Sequence, residues 1–201
     1  MDHAARRAAT RPLRAEGAST PCQHRRVVEL RDATSADAFG LAAVHVASWR
    51  AAYRGLMPAE VLAALSVPER ERLWSERLAT PEPRTSVVVA TCAQRVVGFA
   101  AVGPPLVPTD RADPTLGDLY ALYLDPGHWG RGIGVPLHAA ALDRLVTHGF
   151  THAGLWILDG NERAQRFYLR HGWTDTGRTQ IDRGPQDIEL HERRLQRSLT
   201  G

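Results

Sequence analysis

Apolar positions along this chain switch repeatedly between a period of two and a period near 3.6, the signatures of strand and helix. A first strand is predicted at Val27–Arg31, after which Thr34 and Ser35 offer capping side chains and Asp37 an acid for the first helical turn. Leu41, Val44, Ser48 and Trp49 then recur at helical spacing from Ala36 to about Arg54, where Gly55 and Pro58 end the run. Two shorter helices follow at Ala59–Leu65 and Pro68–Leu78, the second capped by Ser66. β-Branched segments at Thr85–Thr91 and Arg95–Val102 flank a short polar connection at Cys92–Gln94 and read as a hairpin. Pro104, Pro105, Pro108 and Pro114 make Gly103–Thr115 a surface loop near the site, and a strand resumes at Asp118–Leu124.

Beyond that strand, Ile133, Leu137, Ala141, Leu142 and Leu145 mark a helix that ends at Gly149, with Pro136 tolerated in its first turn. Ala153–Leu158 reads as strand and Asn161–His171 as a helix stopped by Gly172. Trp173–Gly177 and Asp187–Arg193 are the expected last strands. The order β, helices, ββ, β, α, β, α, ββ argues an α/β (α+β) architecture, a mixed sheet covered by helices. The 201 residues fit one domain at 27–196, preceded by an Arg- and Ala-rich tail at 1–26 and followed by a short tail at 197–201.

A hydrophobic fraction of 43% supports a real core, and no apolar run is long enough to span a bilayer. A soluble protein with no membrane partner is expected. Cys22 and Cys92 form neither a CxxC nor a ligand spacing, so no disulfide framework and no metal site is indicated, and a reducing cytoplasm fits. His45, His128 and His171 share no ligand spacing either. The chain has no lysine, and its arginines are scattered among acids rather than gathered into a stripe with aromatics, which argues against nucleic acid. Pro12, Gly17 and Pro21 interrupt any long helix in the Arg-rich start, which is read as disordered.

Gly130, Gly132 and Gly134 fall between the strand ending at Leu124 and the helix opening near Ile133. Glycines there let backbone N–H groups turn toward an anion, the helix N-terminus adds partial positive charge, and Arg131 can add a cation. No GK[ST] follows, which excludes a P-loop, and Val135 and Leu137 stand where a dinucleotide fingerprint needs its last glycine. The remaining spacing, GxGxG, suits a pyrophosphate cradle or a plain flexible turn.

The segment GDLYALYLDPGHWGRGIGVPLHAAALDRL resembles the acetyl-CoA-binding motif of the GNAT superfamily of N-acetyltransferases, with Trp129 where that signature carries Gln or Arg. LWILDGNERAQRFYLRHGW resembles the family's second stretch, and the likeness extends upstream to VASWRAAYRGLMP and RVVGFAAVGP. The resemblance implies a mainly antiparallel central sheet flanked by helices and transfer of an acetyl group from acetyl-CoA to a small-molecule or peptide amine. A non-catalytic acetyl-CoA sensor is the alternative, and a homodimer stays open.

The resemblance also implies roles for individual residues. Trp129, Gly130, Arg131, Gly132, Ile133 and Gly134 would hold the pyrophosphate, and the backbone of Leu122, Tyr123 and Leu124 would pair with pantetheine, with an oxyanion partner near Leu122. Asn161 would contact cofactor or substrate, or cap its helix. Tyr168 would donate a proton to the leaving thiolate, or simply pack beside Phe167. An ammonium must lose a proton before it attacks, and Asp118 is the candidate base, with a solvated strand-edge carboxylate as the other reading. Trp49, Arg50 and Tyr53 would line the acceptor pocket, or serve helix packing and surface charge.

Overall fold

The computed structural model describes residues 28–200, so the tail at 1–26, with Cys22, lies outside the described residues. Seven strands form one sheet in the order β1-β2-β3-β4-β5-β7-β6: β1 (Glu29–Asp32), β2 (Ser86–Cys92), β3 (Arg95–Gly103), β4 (Leu116–Leu124), β5 (His152–Leu158), β6 (Thr174–Arg183) and β7 (Glu189–Ser198). Every neighbouring pair is antiparallel except β4 and β5, the mixed and mainly antiparallel sheet that was expected. Five helices cover it: α1 (Ala38–Ala52), α2 (Ala59–Ala64), α3 (Val67–Ala79), α4 (Gly134–Thr147) and α5 (Glu162–Arg170).

Local chemistry explains the element ends. The Ser66 hydroxyl accepts from the Glu69 N–H to start α3, and the Asn161 side chain accepts from the Ala164 N–H to start α5. Asp37 closes a capping box with Thr34 ahead of α1, and Arg31 forks onto its carboxylate at 2.7 and 2.8 Å. The β2–β3 hairpin turns at Ala93 and Gln94, both left-handed, the geometry a two-residue turn needs to match strand twist.

Three boundaries differ from expectation. The last two strands are longer than the apolar pattern suggested, because β6 is an edge strand with mostly exposed side chains and β7 carries charged residues throughout. β7 continues to Ser198, and Leu199 bonds back to the Thr151 carbonyl, so the expected tail at 197–201 is largely part of the domain. The proline-rich loop also holds a short 3-10 turn at Asp110–Ala112.

The sheet separates two packed layers. α4 and α5 cover one face, where Leu119, Leu137, Leu145, Leu155, Ile157, Tyr168, Trp173 and Leu195 belong to one buried cluster. α1 and α3 cover the other, with Leu41, Val44, Trp74, Val89 and Phe99, and a third cluster joins Trp49 and Tyr53 to Met57, Leu62, Leu158 and Leu190. Removing this apolar surface from water contributes on the order of 25 cal/mol per Å².

Candidate active site

The site arises where the parallel pair of the sheet comes apart. β4 and β5 are in register at just Leu116–His152, Gly117–Ala153 and Asp118–Gly154. Past that point β5 stays with β7 to its end while β4 stays with β3, and the register slips at Ala101/Val102, which leaves Tyr120 as an extra residue in β4. Such a bulge bends its strand and re-aims the residues beyond it. The gap opens into a cavity of about 380 Å³, lined from β4 by Leu119–Leu124, from β5 by Trp156 and Ile157, from α1 by Ser48 and Ala52, and from α5 by Phe167 and Tyr168.

At the end of β4 the chain enters the glycine cluster. Gly130 (φ 72°) and Gly132 (φ 80°) are left-handed, a conformation costly for any residue with a Cβ, and an added Cβ at either would point into open space. The N–H groups of Gly130, Gly132 and Ile133 have no backbone acceptor among the described residues, and α4 begins directly behind them. Unspent N–H donors at a helix start form an anion cradle.

Trp129 is anchored here by a 2.9 Å bond from its indole N–H to the Leu124 carbonyl. Arg163, in the first turn of α5, lays its guanidinium 3.9 Å from the centre of the indole ring, and it forms no ion pair among the described residues. A cation is thus held beside the cradle by stacking. Sequence reasoning missed Arg163, since nothing local separates it from the other exposed arginines.

A model of the acetyltransferase (GNAT) family matches residues 48–173. The chain belongs to this acetyltransferase family. It is 33% identical over 136 residues to the uncharacterized N-acetyltransferase YuaI of Bacillus subtilis (strain 168), covering 67% of this chain and 74% of that protein. It is 31% identical over 115 residues to a phosphinothricin N-acetyltransferase of Streptomyces coelicolor, covering 55% of this chain and 63% of that one. A PaiA N-acetyltransferase from Thermoplasma acidophilum, solved in complex with coenzyme A, shares the fold with TM-score 0.63 at 19% identity, covering 86% of this chain and 99% of the other. A GCN5-related N-acetyltransferase from Rhodopseudomonas palustris does so with TM-score 0.66 at 21% identity, covering 90% and 99%.

Against the GNAT expectations, most site residues converge on this one cavity. Leu122, Tyr123, Leu124, Trp129, Gly130, Gly132, Ile133, Gly134, Asn161, Tyr53 and Tyr168 all line it. The Asn161 side chain is engaged as the cap of α5, one of the two readings the sequence left open. Tyr168 is 8% exposed, and burial pushes its phenol well above the ordinary value, so the proton stays on the oxygen. Arg131 is exposed and does not line the cavity.

Asp118 and Arg50 also lie away from the cavity. Asp118, the expected base, lies 4% exposed at the last position where β4 pairs with β5 and is gripped by Arg194 of β7 at 2.6 and 3.0 Å. Burial raises its carboxyl pKa while Arg194 opposes the rise. Arg194 is fully buried, stacks on Trp156, and fits only because Gly154 has no side chain, since a Cβ there would overlap the guanidinium. A carboxylate with both oxygens spent on a buried guanidinium is a structural ion pair rather than a proton acceptor. Arg50 likewise turns from the cavity, donating to the carbonyls of Leu62, Ala63 and Leu65 at 3.0, 3.0 and 2.7 Å and so closing the C-terminal end of α2.

Tyr53 lines the cavity and Trp49 does not, and both belong to one aromatic group. Their rings meet edge-on at 5.1 Å, and His45 sits 5.3 Å from Trp49 and 5.1 Å from Tyr123. Burial lowers the His45 pKa to about 3, assisted by the charges of Arg70 and Arg77, so the ring is neutral. No group of metal-ligating residues occurs among the described residues.

Proposed function

We propose that the protein transfers the acetyl group of acetyl-CoA to a primary amine by direct attack, with both substrates meeting in the β4–β5 cavity. The observation that carries this reading is the join of three features: an unpaired β4 edge, a cradle of free N–H groups at its end, and a protonated tyrosine buried opposite. Acetyl-CoA supplies an activated thioester whose pyrophosphate suits the Gly130–Gly134 cradle and Arg163. Pantetheine amides suit the free edge at Leu122–Leu124, although the Leu124 carbonyl already accepts from Trp129.

The protein's own groups then divide the work. The amine nitrogen forms a C–N bond to the acetyl carbon, the C–S bond breaks, and the Tyr168 hydroxyl gives its proton to the departing sulfur. Tyr168 recovers a proton from the new amide nitrogen. The β4 backbone near Leu122 is assigned to the developing oxyanion. Among the described residues no carboxylate lines the cavity, so the first proton of the ammonium must go beyond its walls.

Purified protein incubated with acetyl-CoA and a panel of amines should release free thiol only when an amine is present, with a mass gain of one acetyl group on the amine. Tight CoA binding without thiol release from any amine would overturn the catalytic reading.

A further inference from the structure

The buried carboxylates among the described residues carry guanidinium partners: Asp37 has Arg31, Asp110 has Arg178 and Arg194, and Asp118 has Arg194. Glu192 has none. It is half-buried on β7, and its one hydrogen bond among the described residues comes from the neutral Gln180 side-chain amide at 2.7 Å. No arginine is paired with it among the described residues. A partly desolvated carboxylate without a cation is costly, which points to a partner the chain does not itself supply.

Its position says which partner. Glu192 is in register with Leu158, the last residue of β5, just past the cavity residues Trp156 and Ile157. Side chains alternate along a strand, so Glu192 shares the face of Leu190, which packs in one cluster with Trp49, Tyr53 and Leu158 on the acceptor side of the sheet. The negative charge of Glu192 is felt at the phenols of Tyr53 and Tyr123, both of which line the cavity. Burial raises the carboxyl's affinity for a proton, with Asp182 adding to the effect and Gln180 opposing it. Arg50, the cation expected for this region, is spent on α2, while Arg70 lies 5.8 Å from the centre of the Trp49 ring and opposes the charge of Glu192 at Tyr123. This end of the cavity is therefore aromatic and carries charges of both signs.

We propose that Glu192, just beyond the cavity wall, takes the proton of the acceptor's ammonium group, and that the acceptor is a cationic primary amine on an apolar or aromatic carrier. This rests on the acetyl-transfer reading above. The N–H bond breaks, the proton passes to the Glu192 carboxylate and later to solvent, and the freed lone pair attacks the thioester. Trp49 and Tyr53 would flank the carrier.

Glu192→Gln tests the step, because the amide oxygen can still accept the Gln180 bond while the charge and basicity are lost. With alkylammonium acceptors, kcat/KM should fall by about 10²-fold or more. With weakly basic amines that arrive uncharged at neutral pH, such as aniline derivatives, turnover should be largely retained, and CoA binding should be unchanged. Equal losses on both amine classes, or no loss on either, would overturn the proposal. The native protein gives a second arm that does not depend on a variant folding: phenethylamine should be preferred to ethanolamine, and the reverse preference would refute the acceptor class. If the native protein acetylates no amine while binding CoA, the acetyl-transfer reading itself fails and this assignment with it. Failure confined to the variant comparison or to the preference removes only Glu192 or the acceptor class.

Discussion

Asp118→Ala should destabilise the fold far more than it alters the chemistry. The side chain is 4% exposed and its partner Arg194 is fully buried, with the two bonds at 2.6 and 3.0 Å. Without Asp118, Arg194 keeps only Asp110, 3.4 Å away and already shared with Arg178, while its Nε has no partner among the described residues. Stranding one member of a buried ion pair costs about 3–5 kcal/mol, which for a chain of this size lowers Tm by about 6–20 °C. Replacing both partners by apolar groups, Asp118→Leu with Arg194→Met, removes the stranded charge and should cost less than the sum of the single changes by about 2 kcal/mol. Urea unfolding of the four proteins, with m-values checked for constancy, reads this coupling directly. Folded Asp118→Asn should turn over within a few-fold of the native protein. The structural assignment is refuted if Asp118→Ala unfolds like the native protein but loses turnover by about 10²-fold, the size expected of a general base.

Other outcomes rest on the same geometry. Arg163→Ala should weaken CoA binding by about 10-fold or more in calorimetry, the size of a lost charge-assisted bond, and raise KM for acetyl-CoA without changing the folded stability; unaltered affinity would leave the stacked guanidinium without a role. His138 is buried, accepts the Trp173 indole N–H at Nε2, and has its pKa lowered by burial from 6.5 to about 4. The unfolded chain therefore binds a proton that the folded chain refuses, so stability should fall as pH drops from about 6.5 toward 4, and His138→Gln should flatten that slope in denaturant titrations. An unchanged slope would remove His138 from the acid response.

The sheet and its helices were legible because they rest on local signals: alternation in the hairpin, the Ser66 and Asn161 caps, and glycines at the strand–helix junction. The glycine cluster was legible for the same reason, whereas Tyr168 was singled out by the resemblance of its stretch to the family's. Residues whose roles depend on distant partners were not. Asp118 looked like a free strand-edge acid because Arg194 lies 76 residues away, and Arg50 looked available because its acceptors are backbone carbonyls 12 to 15 residues on. The parting of β4 from β5 depends on a bulge at Tyr120 and on β7 claiming the far edge of β5, neither of which leaves a mark in the apolar pattern. Glu192 was invisible among the charged residues of β7, since its distinction is its register with Leu158 at the end of β5.

The most direct test of acetyl transfer at this cavity is thiol release by Tyr168→Phe, measured beside CoA affinity on the same preparation. The ring fills the same buried space and only the proton donor is lost, so CoA binding should be unchanged while kcat falls by about 10²-fold or more. Full turnover by Tyr168→Phe would contradict the account.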